Sequence, residues 1–577
     1  MLILSVHPGY HDACVVLQDE YDLLSAVAME RVTRIKTDGG RWPTETVSAC
    51  LGQAQRRKDE VDVLVLTRGA FLSRYFKGFA TGRRLERVAR RLTGTEKHKS
   101  MEREMLRAGS QHSEPLFDAA LFLKDHGFRA DCQVHFVNHH ECHALPCLFH
   151  TDWPSDALLY TADGGGDNVQ YSARHFDGAA IHTLFGGDEA FAGPAAVDSL
   201  GLAYGFATQA CGWKINRHEG KLTGLAARGT PRGAEALAAH FTVEDDGRIT
   251  SDFASNGDLR AWIKEWSAEL GREDTAASAQ KVLEDKILEA VERLLAKTGA
   301  RYLGLSGGVF GNVLLNQKLA EKLPVDEVFI YPAMSDQGLA AGGALLYLLA
   351  RDGLTDWLAA RKRFEHLYLG QDYRAEIDMA LSEAGARKIL LGVGEAPPAI
   401  TAASLIHSGK AGAIYSKGME HGPRALGARS ILAAPVDATI NETLNARLDR
   451  SEFMPFAPVI QAEHANRVFD IGPVKGYAAR FMTITCFVQP EWRDKIPAVV
   501  HVDGTARPQV IERDPNPLYF DILGAYGEMS GIPVLINTSF NAHEEPIINS
   551  PKECADALVA GRVDFVVTDW AVWEMPD

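Results

Sequence analysis

The segment His139-His140-Glu141-Cys142-His143-Ala144 sets two imidazoles four residues apart. On a helix, His139 and His143 point from one face and can share a metal ion. Their order is not that of an HExxH site, so the pair alone also reads as satisfied structural histidines. Two carboxylates stand on loops of the same half of the chain. Asp163 opens Asp163-Gly164-Gly165-Gly166-Asp167, and Asp336 lies in Met334-Ser335-Asp336-Gln337-Gly338. Together the four side chains make a His/His/Asp/Asp set, which suits iron, manganese or zinc.

A second group is cationic. Glu420-His421-Gly422-Pro423-Arg424-Ala425-Leu426-Gly427-Ala428-Arg429-Ser430 places two arginines among small residues, and Arg447, Arg450 and Arg507 add three. Asn537-Thr538-Ser539-Phe540-Asn541 follows an apolar strand. Guanidinium groups take phosphate and carboxyl-like anions through paired bonds. Buried arginines without an anion are costly, so the cluster means either a bound anion or a structural ion-pair network. The residues alone leave both readings open.

These groups need elements to hold them. Leu2 to Val6, Ala13 to Leu17 and Leu23 to Met29 read as a β-meander, with the polar loop His7-Pro8-Gly9-Tyr10-His11-Asp12 at its first turn. The pattern recurs where Ala157 to Thr161 runs into the Asp163 loop and Val169 to Phe176 follows. It recurs again where Tyr302 to Leu305 ends in Ser306-Gly307-Gly308-Val309. Three such strand-to-loop junctions predict a duplicated α/β core that grips a nucleotide, because glycines let backbone N–H groups approach phosphate. Glu219-Gly220-Lys221-Leu222-Thr223-Gly224-Leu225-Ala226 reads as a ribose or phosphate contact, or as a turn capping a helix. Residues 279–299 have helical periodicity. The basic stretch 68–108 reads as exposed helices, with a lid over an anionic acceptor as the sharper alternative.

The chain turns polar and irregular near Arg351 to Glu365, which reads as a linker. A new α/β unit then begins near residue 370. Its expected elements are a helix near 375–385, strands near 411–416, 480–488 and 533–537, and a late helix over 550–560. With 577 residues, two or three domains are expected. A net charge of −16 argues against a general nucleic-acid binder but leaves room for a local anion site. Eight dispersed cysteines do not make a disulfide framework. The opening MLILSVHPGYHDA lacks a basic n-region, and no run of 18 apolar residues follows, so a reducing cytoplasm is the expectation.

The ordered motifs resemble those of the O-carbamoyltransferase family, which includes nodulation protein U and antibiotic-tailoring carbamoyltransferases. His11-Asp12 and Glu30-Arg31 resemble the family's opening. His139-His140-x-x-His143-Ala144 resembles its HHxxHA, and Asp163-Gly164 its DG. Lys221 to Ala226 is similar to K-x-M-G-L-A. Gly307-Gly308-Val309 with Asn312 and Asn316 is similar to GGVALNxxxN, and Pro332 to Gly338 to P-x-x-x-D-x-G. The C-terminal matches are Gly422-Pro423-Arg424-Ala425-Leu426-Gly427, Arg429-Ser430-Ile431, His501-Val502-Asp503-Gly504-Thr505-Ala506-Arg507 and Asn537 to Asn541. The chain departs from the family where Met454 stands for the usual arginine and Leu448 roughly for a lysine. Glu544-Glu545-Pro546 replaces Gly-Glu-Pro. Arg447 or Arg450 is then the expected substitute on the phosphate.

The resemblance implies an actin/Hsp70-like ATPase fold of duplicated RNase H-like lobes over 1–355, a linker over 356–370, and a YrdC-like α/β domain over 371–577. It implies an ATP-dependent carbamoyltransferase with two steps. Carbamoyl phosphate, bound by Arg424, Arg450, Arg507, Asn537 and Ser539, reacts with ATP to give carbamoyl-adenylate. The carbamoyl group then passes to a hydroxyl of a small acceptor, a sugar or a natural product. On the transfer side, His139, His143 and Asp336 are the implied metal ligands, with iron as the first choice and manganese or zinc as alternatives. His11, Asp12 and Asp163 are the implied catalytic residues, with His11 as base because imidazole titrates near neutral pH. Gly164, Gly165, Lys221, Gly307, Gly308 and Asn312 are the implied nucleotide contacts. No membrane or nucleic-acid partner is expected, and a homodimer is allowed. The alternative is a transferase of the tRNA threonylcarbamoyladenosine type, which would favour a basic surface. A binding module of actin-like fold would not need the arginine cluster, and the histidine pair disfavours a sugar kinase.

Overall fold

A computed structural model of the chain describes residues 1–77, 97–193, 197–389, 397–450 and 454–576. The chain divides into two compact units. One comprises Met1–Thr33, Thr37–Gly311 and Phe329–Arg363, and the other Arg34–Lys36, Asn312–Val328 and Phe364–Asp577.

The first unit holds two five-stranded sheets built on one plan. Strands β1 (Leu2–His7), β2 (Cys14–Asp19), β3 (Asp22–Ala28), β4 (Val63–Thr67) and β5 (Gln133–Val137) lie in the order β3-β2-β1-β4-β5. Strands β6 (Ala157–Gly166), β7 (Val169–Phe176), β8 (Ile181–Phe185), β9 (Tyr302–Ser306) and β10 (Glu327–Ile330) lie in the order β8-β7-β6-β9-β10. In each sheet a three-stranded meander is antiparallel, and its first strand pairs in parallel with the fourth. This repeat is the duplicated core of the actin/Hsp70-like ATPase fold. The central strand β1 is buried at every position, which is why it reads as a continuous apolar run rather than an alternation. Leu4 and Val6, each fully buried, contribute about 1.5–3 kcal/mol apiece on the usual scale for apolar side chains.

Between the two sheets, helix His139–Phe149 packs against helix Leu339–Ala359, the first on the second sheet and the second on the first sheet. The contact depends on Gly342, since a Cβ there would lie 1.8 Å from the Cys142 carbonyl oxygen. Helix Leu339–Ala359 breaks its helical dihedrals at Gly353 and then continues. The polar stretch after Arg351 is therefore partly helical rather than an irregular linker, because apolar Trp357 turns inward and is fully buried. Residues 279–299 fall within helix Arg272–Thr298, capped by Gly299 in the left-handed region. Of the basic stretch 68–108, residues 78–96 lie outside the described residues. The flanks are a hairpin of Ala70–Leu72 with His98–Ser100 and a helix over Met101–Ala108, not helix throughout. All eight cysteines are buried and free. Among the described residues, no helix is long and apolar enough to cross a membrane.

The second unit is built on an eight-stranded mixed sheet. Its strands are β11 (Arg387–Lys388), β12 (Gly412–Tyr415), β13 (Arg429–Ala433), β14 (Ala457–Gln461), β15 (Gln509–Ile511), β16 (Val534–Ser539), β17 (Phe565–Val567) and β18 (Val572–Glu574), in the order β11-β18-β17-β12-β13-β16-β14-β15. Helices Arg374–Glu383 and Pro551–Val559 match the expected ones. The strand expected near 480–488 shrinks to Cys486–Phe487. Residues 312–328 join this unit because Asn316 Nδ2 donates to the Thr483 carbonyl at 2.7 Å and the Thr485 hydroxyl donates to Gln317 Oε1 at 2.6 Å.

The Gly342 contact gives a direct test. Gly342→Ala should cost the first unit about 1–3 kcal/mol, as overpacking of a closed contact does. The expected reading is a lower urea midpoint, and an unchanged midpoint would show that the helix pair absorbs the methyl group.

Candidate metal centre and arginine site

The first unit gathers six of the expected residues around one buried carboxylate. Asn138 caps the helix start, its Oδ1 accepting from the Glu141 N–H at 3.0 Å. The i, i+4 spacing then sets His139 and His143 on one face, with ring centroids 4.8 Å apart. Asp163 lies within β6, and Asp336 opens a short 3-10 turn before helix Leu339–Ala359. His139 Nε2 is 3.6 Å and His143 Nε2 3.5 Å from Asp336 Oδ1, and His143 Nε2 is 3.5 Å from Asp163 Oδ2. Ligand atoms of all four buried residues lie within 4.8 Å of one another.

The donor set fits a metal ion. His139 Nε2, His143 Nε2 and Asp336 Oδ1 are buried and make no hydrogen bond among the described residues. Metal–ligand bonds of about 2.1 Å give tetrahedral edges of about 3.4 Å, close to the separations seen. His140 is excluded from the set, because its two nitrogens face Thr161 Oγ1 at 2.7 Å and the Val169 carbonyl at 3.0 Å.

Charge is tightly shared here. Burial pulls His143 down, but the nearby carboxylates of Asp163 and Asp336 outweigh it and raise the imidazole to about 9. Burial dominates at His139, which falls to about 4. Burial and Asp336 push Asp163 up, yet His143 and His139 bring it down to about 2. Asp336 is held well below the carboxylate range against its burial, chiefly by the surrounding imidazoles.

His11 differs from expectation. Its Nδ1 lies 3.3 Å from Asp12 Oδ2 and 3.9 Å from Asp336 Oδ2. Burial lowers its affinity for a proton, but Asp12, Asp336 and Asp163 raise it to about 10. The three carboxylates therefore strengthen its hold on a proton, and a cation placed among them would weaken that hold.

The glycine loops close over the same carboxylates. Gly308 N–H donates to Asp163 Oδ2 at 2.7 Å, and Gly164 N–H donates to Asp163 Oδ1. Gly307 has φ 105°, and a Cβ there would meet the Ala162 carbonyl oxygen at 2.1 Å. Gly165 also has positive φ. Lys221 is buried on helix Glu219–Ala226, which packs on helices Leu200–Ala210 and Arg272–Thr298. Asn312 Oδ1 accepts from the Leu315 N–H at 3.1 Å, so this oxygen caps helix Val313–Lys322, and Asn312 groups with the second unit.

Four side chains given no role in the sequence reading brace the histidine helix. Asp167 Oδ2 accepts from the His139 N–H at 2.8 Å and pairs with Arg68 at 3.1 Å. Arg68 also binds Asp188 at 2.9 Å, and Asp188 accepts from Asn138 Nδ2 at 2.7 Å. Only the cap residue before His139 carried a local signal.

In the second unit, topology brings the cationic motifs to one end of the sheet. The Arg424 loop precedes β13, Met454 precedes β14, and Arg507 precedes β15. Antiparallel pairing sets the end of β16, Asn537 to Ser539, beside the starts of β13 and β14, and β15 runs parallel to β14. Glu420 Oε1 shapes the Arg424 loop by accepting from the N–H groups of Leu426, Ala428 and Arg429 at 2.9, 2.9 and 3.0 Å. Burial lowers Arg424 to about 10. Burial, then repulsion from Arg424, pushes Arg507 well down. Arg507 Nε and Asn537 Oδ1 are buried and make no hydrogen bond among the described residues. Asn537 Nδ2 donates to Gln509 Oε1 at 2.7 Å and the Ala425 carbonyl at 3.0 Å.

Of the two proposed substitutes for the missing arginine, Arg450 reaches this end of the sheet and Arg447 does not. Arg450 donates to Thr538 Oγ1 at 3.0 Å, Ser539 Oγ at 3.1 Å and Asn541 Oδ1 at 2.9 Å. Arg447 instead pairs with Asp564 at 2.9 Å, with both side chains part-exposed. Leu448 is fully buried and apolar.

The family model described as Carbamoyltransferase N-terminus matches residues 2–345, and Carbamoyltransferase C-terminus matches 403–574. An uncharacterized protein of Methanocaldococcus jannaschii is 32% identical over 76% of this chain and 73% of its own. Nodulation protein NolNO of Sinorhizobium fredii is 28% identical over 96% of this chain and 78% of its own. Nodulation protein NolO of Bradyrhizobium diazoefficiens is 31% identical over 75% and 77%. Among solved structures, full-length HypF in its phosphate- and nucleotide-bound form aligns over 61% of this chain and 56% of that chain, at 14% identity and a TM-score of 0.32, a likeness too slight to add to the topology. The chain therefore belongs to the carbamoyltransferase family and is a carbamoyltransferase.

Proposed function

We propose that this carbamoyltransferase is ATP-dependent and works in two steps, activation in residues 371–577 and transfer to an acceptor hydroxyl in residues 1–355. The observation that carries the first step is the Arg424–Arg507 pair. Arg507, lowered by its burial and by the charge of Arg424, suits an anion placed beside it. Carbamoyl phosphate meets that need, with Arg450 on its rim and the Asn537 and Ser539 side chains at the carbamoyl end. Phosphate leaves to water, the carbamate oxygen attacks the α-phosphorus of ATP, and pyrophosphate departs. The product is carbamoyl-adenylate, which a closed site protects from hydrolysis.

For the second step, His139, His143 and Asp336 would hold the metal, with Asp163 beside it. Iron is our first choice, and manganese or zinc suits the same donors. When bound, the ion supplies Lewis-acid polarisation of the carbamoyl oxygen. The Gly164–Gly165 and Gly307–Gly308 loops would meet the nucleotide, with Lys221 as a further contact. His11, steered by Asp12, takes the proton as the acceptor oxygen attacks the carbonyl carbon and AMP leaves. The acceptor is a small hydroxyl compound, a sugar or a natural product.

The two halves should separate by mutation. Arg507→Ala is expected to abolish carbamoyl-phosphate-dependent exchange of pyrophosphate into ATP, and with it transfer. His11→Asn should lose transfer and keep the exchange. Full transfer by His11→Asn would remove it as the base.

The metal reading carries a pH signature. His143 holds a proton up to about 9, against an ordinary 6.5, and the ion must displace it. Metal affinity should climb about tenfold per unit as pH rises from 6.5 towards 9, one proton being released. Metal-free protein should show the opposite trend. A histidine raised on folding contributes stability fully present below 6.5 and lost as pH passes about 9. Isothermal titration with Mn²⁺ and thermal denaturation in EDTA measure the two slopes, and flat profiles would count against His143 as a ligand.

A further inference from the structure

His7 ends β1, and neither of the two steps above uses it. Its side chain is almost wholly buried. Because β1 and β4 pair in parallel, with Val6 beside Leu66, the next residues along, His7 and Thr67, are neighbours. His7 Nδ1 lies 2.7 Å from Thr67 Oγ1. Its other nitrogen, Nε2, is buried, makes no hydrogen bond among the described residues, and lies 3.5 Å from Asp336 Oδ2.

The Asp336 carboxylate is thus divided between two environments. Oδ1 faces His139 and His143, while Oδ2 faces His7 at 3.5 Å and His11 at 3.9 Å. A hydroxyl rotates to suit its partner, so Thr67 can donate to Nδ1. That leaves the imidazole proton on Nε2, aimed at Oδ2. The opposite tautomer would set a lone pair against the carboxylate.

We propose that His7 is a positioning residue for the metal centre: with its ring locked by Thr67, it holds Asp336 Oδ2 so that Oδ1 is presented to an ion between His139 and His143. The inference rests on reading those residues as metal ligands. Outer partners of this kind typically set metal affinity by about 10–100-fold.

The test is a cobalt(II) titration of the full-length protein, followed by the visible absorption of the bound ion, with urea denaturation of each metal-free protein alongside. His7→Phe keeps a ring and removes the donor, and should bind Co²⁺ about 10–100-fold more weakly with a changed spectrum. His7→Gln places an amide N–H where Nε2 was and should recover most of the affinity. Thr67→Val keeps the side-chain shape and frees the tautomer. It should also weaken Co²⁺ binding without lowering the urea midpoint to match, so the test survives if His7→Phe does not fold. Unchanged affinity in His7→Phe, or in Thr67→Val, overturns the inference. So does a His7→Gln protein as weak as His7→Phe, which would mean that the ring matters only as packing. Failure of the unsubstituted protein to bind Co²⁺ overturns the metal reading and this inference together.

Discussion

A buried carboxylate with four imidazoles around it organises the first unit. Asp336 is almost wholly enclosed, and a bare charge in that setting would be neutralised or expelled. It is kept ionised by His139, His143, His7 and His11, which come from β1, its following loop and one helix. Each of those elements is in turn tied down. The Gly342 contact brings helix Leu339–Ala359 against the Cys142 carbonyl, one turn from His139 and beside His143. Asp167, Arg68 and Asp188 pin the start of the histidine helix to the second sheet's hairpin. The same carboxylates, Asp163 and Asp336, account for the raised proton affinity of His143.

The second unit poses the reverse problem. Its sheet gathers guanidinium groups at one end, where burial lowers Arg424, and burial with repulsion from Arg424 lowers Arg507. The acid that is near, Glu420, spends one oxygen on three backbone N–H groups and so shapes the loop. A chain of net charge −16 accommodates both an acidic cluster and a cationic one because each is local.

Much of this was legible along the chain. The i, i+4 histidines, the glycine loops and the Asn537 to Asn541 run are local patterns whose meaning survives folding, since spacing on a helix or a strand end sets direction. The two meanders were also legible, because strand patterning is written in consecutive residues. Less legible were partners contributed from far away. His7 and Asp167 sat inside quoted motifs without roles, and nothing near Arg68 or Asp188 marks them as braces for a helix 70 residues on or 50 residues back. The choice between Arg447 and Arg450 was open for the same reason. They lie three residues apart, on and just after one helix, and only the fold sends one to Asp564 and the other to Ser539.

The sequence by itself determined the family, the duplicated α/β core, and which residue types would meet as a metal set and as an anion set. The tertiary structure alone decided how their charges are shared. It set His11 among carboxylates that strengthen its hold on a proton, split Asp336 between two faces, turned Asn312 into a helix cap, and moved residues 312–328 into the second unit. The physical reason is that charge state and hydrogen-bond assignment depend on burial and on neighbours distant in the chain, whereas element type and motif identity depend on residues that are close along it.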